Sequence, residues 1–123
     1  MRPDERDAAH LWDMLDATRV VVEFVGERRR EEFLQPGRDA EMLRLAVARK
    51  LEILGEAARR VSEDFRRDHP EIPWKEIVGL RNVISHQYDK VDCAEVYAIV
   101  RERIPGLIVL IEPLVPPAPE IED

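Results

Sequence analysis

Leu11, Leu15, Thr18, Val22 and Val25 step along the chain by four and three residues, and that spacing limits the fold more than any other feature of the sequence. It lines the five side chains up on one face of a helix. The pattern recurs in three further segments, and no segment alternates with the period of two that a half-buried strand requires. With 123 residues the chain makes one domain, large enough for a real core and too small for two. The expected fold is all-α: an antiparallel four-helix-type bundle with an additional short C-terminal helix.

The first helix is expected from about Pro3–Asp4 to Arg30, with Asp4, Glu5 and Asp7 at the positive end of its dipole and Arg28 to Arg30 at the other. Pro36–Gly37 marks a break. Asp39 is then read as the cap of a second helix running to about Asp64, with Met42, Val47 (or Ala46), Leu51, Leu54, Ala58 and Val61 inward. The stretch DHPEIP, 68 to 73, is a stiff connection, because each proline biases its predecessor away from helix. Pro73 fits the first position of a third helix carrying Trp74, Ile77, Val78, Leu80, Val83 and Ile84. Asp92 is expected to cap a fourth helix that buries Val96, Ile99 and Val100; Pro105–Gly106 interrupts it, and Leu107 to Leu114 forms the last short helix. Residues 1–115 make the domain, and 116–123, proline-rich and acidic, read as a disordered tail.

Charge and cysteine usage narrow the function. A net charge of −7 argues against indiscriminate nucleic-acid binding, which draws its affinity from neutralised phosphates. The distribution is uneven, however: arginines gather at Arg28 to Arg30, Arg59–Arg60 and Arg66–Arg67, so a local basic groove is compatible with the acidic total. A single cysteine, Cys93, allows no intrachain disulfide and no cysteine-based zinc site. His10, His69 and His86 lack zinc-type spacing, so no metal and no cofactor is expected. The charged N-terminus MRPDERD is unlike a secretory signal, and the longest aliphatic run, Leu107 to Ile111, is too short to span a bilayer; the expectation is a cytoplasmic protein without membrane contact.

Gly55 falls in the middle of the second helix, where glycine costs about 1 kcal/mol against alanine, and close approach of another helix is the expected reason. Glu56 beside it reads first as an ordinary solvent-facing acid and second as support for a site.

That site is suggested by RNVISHQYD, 81 to 89. Asn82 and His86 are four apart and share a helix face, whereas Arg81 and His86, five apart, diverge by about 140° on an ideal helix. Two readings stand. In one the cluster caps and solvates a helix end, with His86 answering the dipole, Arg81 pairing with Asp89 or Glu76, and Tyr88 packed at the rim. In the other, histidine moves protons near neutral pH and arginine offers a charged fork to phosphate oxygens. That pair is the minimum for attack by an RNA 2′-hydroxyl on its neighbouring phosphate.

Arg81, four residues, His86, one residue and Tyr88 match the R-x4-H-x-Y signature of HepT-like toxins in the HEPN group. AVARKLEILGEAARRV (46 to 61), PEIPWKEIVGLRNVISHQYDKVD (70 to 92) and the short helix after Ile104–Pro105 also resemble that family in order and spacing. The resemblance covers nearly the whole chain apart from the tail. It implies a homodimeric helical bundle in which Arg and His of both subunits face one cleft. It also implies a metal-independent endoribonuclease, the toxin of a type VII-like toxin–antitoxin pair. Its partner would be a minimal nucleotidyltransferase that neutralises it by AMPylation. Carried over by residue, His86 becomes general acid/base, Arg81 the phosphate-stabilising cation and Tyr88 the modification site, with Asn82 orienting His86 or RNA. Two other readings remain open: a non-catalytic docking or nucleotide-binding partner of a nucleotidyltransferase, and a purely structural dimerisation bundle.

Overall fold

The computed structural model describes residues 4–85 and 92–117. Among the described residues seven helices follow in order: α1 (Glu5–Val25), α2 (Arg30–Leu34), α3 (Arg38–Arg60), α4 (Glu63–Asp68), α5 (Trp74–Ser85), α6 (Cys93–Glu102) and α7 (Ile104–Ile111), with a 3-10 turn at Glu112–Leu114. The four longer ones form the expected bundle and α7 is the expected C-terminal addition. The all-α expectation holds, and no strand occurs among the described residues.

Helix α1 ends at Val25, five residues short of the expected end. Gly26 takes φ +56°, a conformation that glycine adopts without a Cβ penalty, and its N–H closes on the Val22 carbonyl. Of the arginine triplet, Arg28 still answers the end of α1, its Nη1 donating to the Phe24 carbonyl at 3.1 Å. The Arg28 carbonyl accepts from the Tyr97 hydroxyl (2.7 Å) and from Arg101 Nη2 (2.6 Å), which pins the loop to α6. Arg30 opens the short α2, whose Phe33 is fully buried against the Tyr97 ring. Arg44 Nη1 satisfies the Phe33 and Gln35 carbonyls at the end of α2.

Helix α3 starts after Gly37 (φ +117°), so Asp39 lies inside its first turn and is not its cap. It stops at Arg60, with Val61 extended and Ser62 capping α4 through the Phe65 N–H; the single helix expected to reach Asp64 is two. Met42 was expected inward but is 67% exposed. Met42 and Val47 are five residues apart, about 140° around the helix, and Val47 is the one on the buried face with Leu51, Leu54 and Ala58. On α1 the buried stripe is wider than the sequence spacing implied, because α3, α6 and α7 all pack on that helix. Met14, Ala17 and Val21 join Leu11, Leu15 and Thr18 in the core, and Val22 lies at the edge.

Antiparallel packing of α1 and α3 is locked at one end by Asp7. Its buried carboxylate accepts from the Ser62 N–H (2.8 Å) and hydroxyl (2.6 Å), tying the start of α1 to the α3–α4 junction. At α5 the Trp74 indole N–H donates to the His69 carbonyl and its ring stands edge-on to Phe65, fixing the stiff connection against the core. Pro73 immediately precedes α5, and its carbonyl accepts from the Ile77 N–H. Asp92 caps α6 as expected, accepting from the Glu95 N–H. Pro105 does not separate the last helix from its neighbours but sits in the first turn of α7, where its missing N–H costs nothing. Leu114 and Val115 pack on the core, and the part of the tail from 118 onward lies outside the described residues.

Candidate active site

Gly55 decides how closely α3 and α5 approach. A Cβ there would lie 3.0 Å from the Ile77 carbonyl oxygen and 3.5 Å from the Arg81 nitrogen, so the two backbones touch at this point. The expectation of a close helix approach is met, and the contact falls directly beside the Arg81 backbone. Glu56, the next residue, is thereby brought within reach of the Arg81 side chain.

Glu56 is the centre of a charge cluster. Arg59 spans both carboxylate oxygens, with Nη2 donating to Oε1 at 2.7 Å and Nε to Oε2 at 3.3 Å. Arg60 Nε donates to Oε1 at 3.1 Å, and Arg81 Nη1 reaches Oε2 from α5 at 3.4 Å. Glu56 is half-buried, whereas the three guanidinium-bearing side chains are 56%, 58% and 59% exposed. The Arg59 hydrogen bond, aided by the charges of Arg59 and Arg60, holds the Glu56 carboxyl down to about 2 against an ordinary 4.5. Partial desolvation pushes the other way and loses.

A depressed carboxylate of this kind adds stability that is fully present above about pH 4.5 and is lost as pH falls through about 2. The stability difference between wild type and Glu56→Gln is therefore expected to stay constant from neutral pH down to about 5, and to shrink below about 4. Urea melts at a series of pH values read this directly. A difference that already collapses near pH 6 would contradict the assignment.

Of the partners the sequence offered Arg81, Glu76 is engaged elsewhere, with Arg103 at 2.8 Å, and Asp89 lies outside the described residues. Asn82 is exposed beside Arg81 on the last turns of α5. His86 and Tyr88 lie outside the described residues, so of the five expected site residues the structure brings together Arg81 and Glu56 and places Asn82 next to them. His69 is removed from this cluster: its Nδ1 is 3.0 Å from Glu71 Oε1 and its ring packs on Phe65. Among the described residues, no three His, Cys, Asp or Glu side chains converge as a metal-binding group, and no helix is long and apolar enough to cross a membrane.

Arg59 and Arg60 are visible in the sequence as a basic pair, with nothing local that links them to Arg81. The signal was present in part: Glu56 precedes them by three and four residues, the spacing at which helical side chains meet. What sequence spacing could not supply was the α3–α5 contact that adds the third arginine.

An all-helical bundle with an exposed, carboxylate-held arginine opening an R-x4-H-x-Y segment defines a class, and comparison with known proteins specifies it. The family model "Ribonuclease HepT-like" matches residues 14–114. "Putative RNase MJ1380" of Methanocaldococcus jannaschii is 42% identical over 99 residues, covering 80% of this chain and 87% of that protein. "Probable ribonuclease HepT" of Thermococcus cleftensis is 39% identical over 98 residues, covering 80% and 86%. No solved structure matches. The chain belongs to the ribonuclease HepT-like family, and its enzyme class is that of an endoribonuclease, as the resemblance implied.

Proposed function

We propose that the protein is the toxin of a toxin–antitoxin pair and cuts RNA without a metal ion, using His86 as general acid/base and Arg81 as the cation on the scissile phosphate. The observation that carries this reading is the Arg81 guanidinium, exposed and held by Glu56 on the same helix whose chain continues into His86 and Tyr88. In the proposed step the RNA 2′-oxygen, deprotonated by a His86 imidazole, bonds to the adjacent phosphorus. The P–O5′ bond breaks and the leaving oxygen takes up a proton, giving a 2′,3′-cyclic phosphate and a 5′-hydroxyl. Charge building on the phosphoryl oxygens is met by Arg81, whose fork stays protonated throughout. Asn82 orients His86 or the RNA, and Glu56 acts as a positioning residue for Arg81.

Arg81 and His86 diverge on an ideal helix, so a two-fold homodimer supplies the missing geometry: one subunit's histidine serves as base and the other's as acid. Tyr88 is the site at which a minimal nucleotidyltransferase attaches AMP. The phenol oxygen bonds to the α-phosphorus of ATP and pyrophosphate leaves. The adduct sets a phosphodiester beside Arg81, in the place the RNA phosphate needs.

The test is the purified protein, shown by intact mass to carry no AMP, incubated with mixed cellular RNA in excess chelator. New 2′,3′-cyclic phosphate ends are expected, and enzymatic AMPylation of Tyr88 is expected to suppress them. Intact RNA after incubation with the folded, unmodified protein would instead assign the chain as a docking partner of the nucleotidyltransferase, with Tyr88 as its modified group.

A further inference from the structure

We infer that Arg59 and Arg60, held together with Arg81 on the Glu56 carboxylate, bind an RNA backbone phosphate next to the scissile one, so that the RNA site extends from α5 onto the C-terminal turn of α3. The inference rests on the ribonuclease reading and adds two residues that the motif does not contain.

The charge balance is the first argument. Three guanidinium groups converge on a single carboxylate, leaving an excess of two positive charges in a chain whose net charge is −7. The α3 dipole favours Arg59 and Arg60 in its last turn, but it does not bring Arg81 from another helix onto the same carboxylate. One arginine at i+3 or i+4 already gives the small gain that such surface pairs contribute, and Arg81 is on a different helix. Converging cations repel one another, and a second anion relieves that repulsion.

Donor geometry is the second. Each guanidinium has five N–H donors. Arg59 spends Nε and Nη2 on Glu56, Arg60 spends Nε, and Arg81 spends Nη1. Most of the remaining donors are on side chains more than half exposed. Glu56 thus fixes one edge of each fork and leaves the others turned outward, an arrangement suited to phosphate oxygens.

The surroundings limit the patch. Beside Arg60 a cleft of about 190 Å³ runs between α1 and α3, lined also by His10, Asp13, Arg49 and Glu52. Arg49 answers Glu52 at 3.4 Å, and Asp13 adds one negative charge. The excess positive charge therefore centres on the three arginines, not in the cleft.

The test uses the full chain and a short mixed-sequence 2′-O-methyl oligonucleotide, which lacks the attacking hydroxyl and cannot be cut. Its Kd is measured by fluorescence anisotropy over a series of salt concentrations. The Arg59→Gln/Arg60→Gln double variant is expected to bind about ten-fold or more weakly at low salt. Its log Kd against log salt should be shallower by about 0.7, since the two arginines share one phosphate. Arg67→Gln, which removes an exposed arginine paired with Asp64 on α4, should leave both quantities unchanged. On cleavable RNA the double variant should show a raised KM with kcat within a few-fold of wild type. If losing both arginines unfolds the chain, each single variant carries part of the same slope change. A double variant with wild-type Kd and salt slope would overturn the inference, as would a wild type that does not bind the oligonucleotide. Failure of the ribonuclease reading looks different: wild type would bind through these arginines and leave cleavable RNA intact.

Discussion

His86→Ala is expected to slow RNA cleavage by about 10² to 10⁴-fold while leaving the helical circular-dichroism signal and the oligonucleotide Kd close to wild type. The argument is chemical. A 2′-hydroxyl is a poor nucleophile until its proton is removed, and a departing 5′-oxygen is a poor leaving group until one is supplied. Among the residues of the motif, only His86 exchanges protons near neutral pH. Arg81 acts on charge instead, and Arg81→Ala is expected to cost about 10² to 10³-fold in kcat. Arg81→Lys should recover part of that loss, since a lysine keeps the charge but not the planar fork. The double variant should be little worse than the worse single one, because the two groups act in the same step. Initial rates on a defined RNA, with the cyclic-phosphate end followed at each time point, decide the matter. A His86→Ala protein that cuts at the wild-type rate would remove histidine from the mechanism.

The pH behaviour of that reaction can be assigned in part. Glu56 stays ionised down to about 2, so an acid limb near neutral pH does not come from the group that holds Arg81. In the proposed mechanism such a limb is expected from His86. Glu56 and its arginines then act as an electrostatic scaffold whose charge stays fixed across that range.

How much of this was legible in the sequence depended on whether a feature is local. Period-3.6 spacing shows the four longer helices but not the short α2 or the separate α4, and the caps that act within one turn, such as Asp92, are readable because partner and cap are three residues apart. Helix ends were misplaced where a backbone conformation or a distant partner sets them. Gly26 ends α1 through its positive φ, and Ser62 begins α4 with its hydroxyl already committed to Asp7, 55 residues away. Met42 was misassigned because hydrophobicity alone does not say which of two nearby positions faces the core. At the site the motif residues are legible from their pattern, whereas Glu56 reads from sequence first as an ordinary surface acid. Its contact with Arg81 crosses 25 residues of chain and depends on how tightly α3 and α5 pack, which no single segment encodes.

That packing supports the second large effect. Gly55→Val should destabilise the protein by roughly 2 to 4 kcal/mol, a fall in Tm of about 10 °C. The first side-chain carbon would meet the Ile77 carbonyl oxygen at 3.0 Å, and the Val78 carbonyl stands at 3.6 Å. Both are backbone atoms in the middle of a helix, so no rotamer change makes room, and valine adds two methyl groups beyond that carbon. Helix α5 has to move off α3. Alanine at the same place sets a gain of about 1 kcal/mol in helix propensity against a milder version of the same clash, and should fall between wild type and valine. Gly79→Ala is the control: a Cβ there meets nothing within 4 Å, so the propensity gain should show as neutral to slightly raised stability. Function should suffer beyond stability. At a temperature where Gly55→Val is still folded, Arg81 is drawn away from Glu56, whose 3.4 Å contact has little slack, and cleavage should fall although no motif residue has changed. Thermal melts and cleavage rates of the three variants, taken together, would show whether the distance between α3 and α5 sets the activity. Equal Tm values for wild type and Gly55→Val would mean that the two helices are not in contact at this glycine.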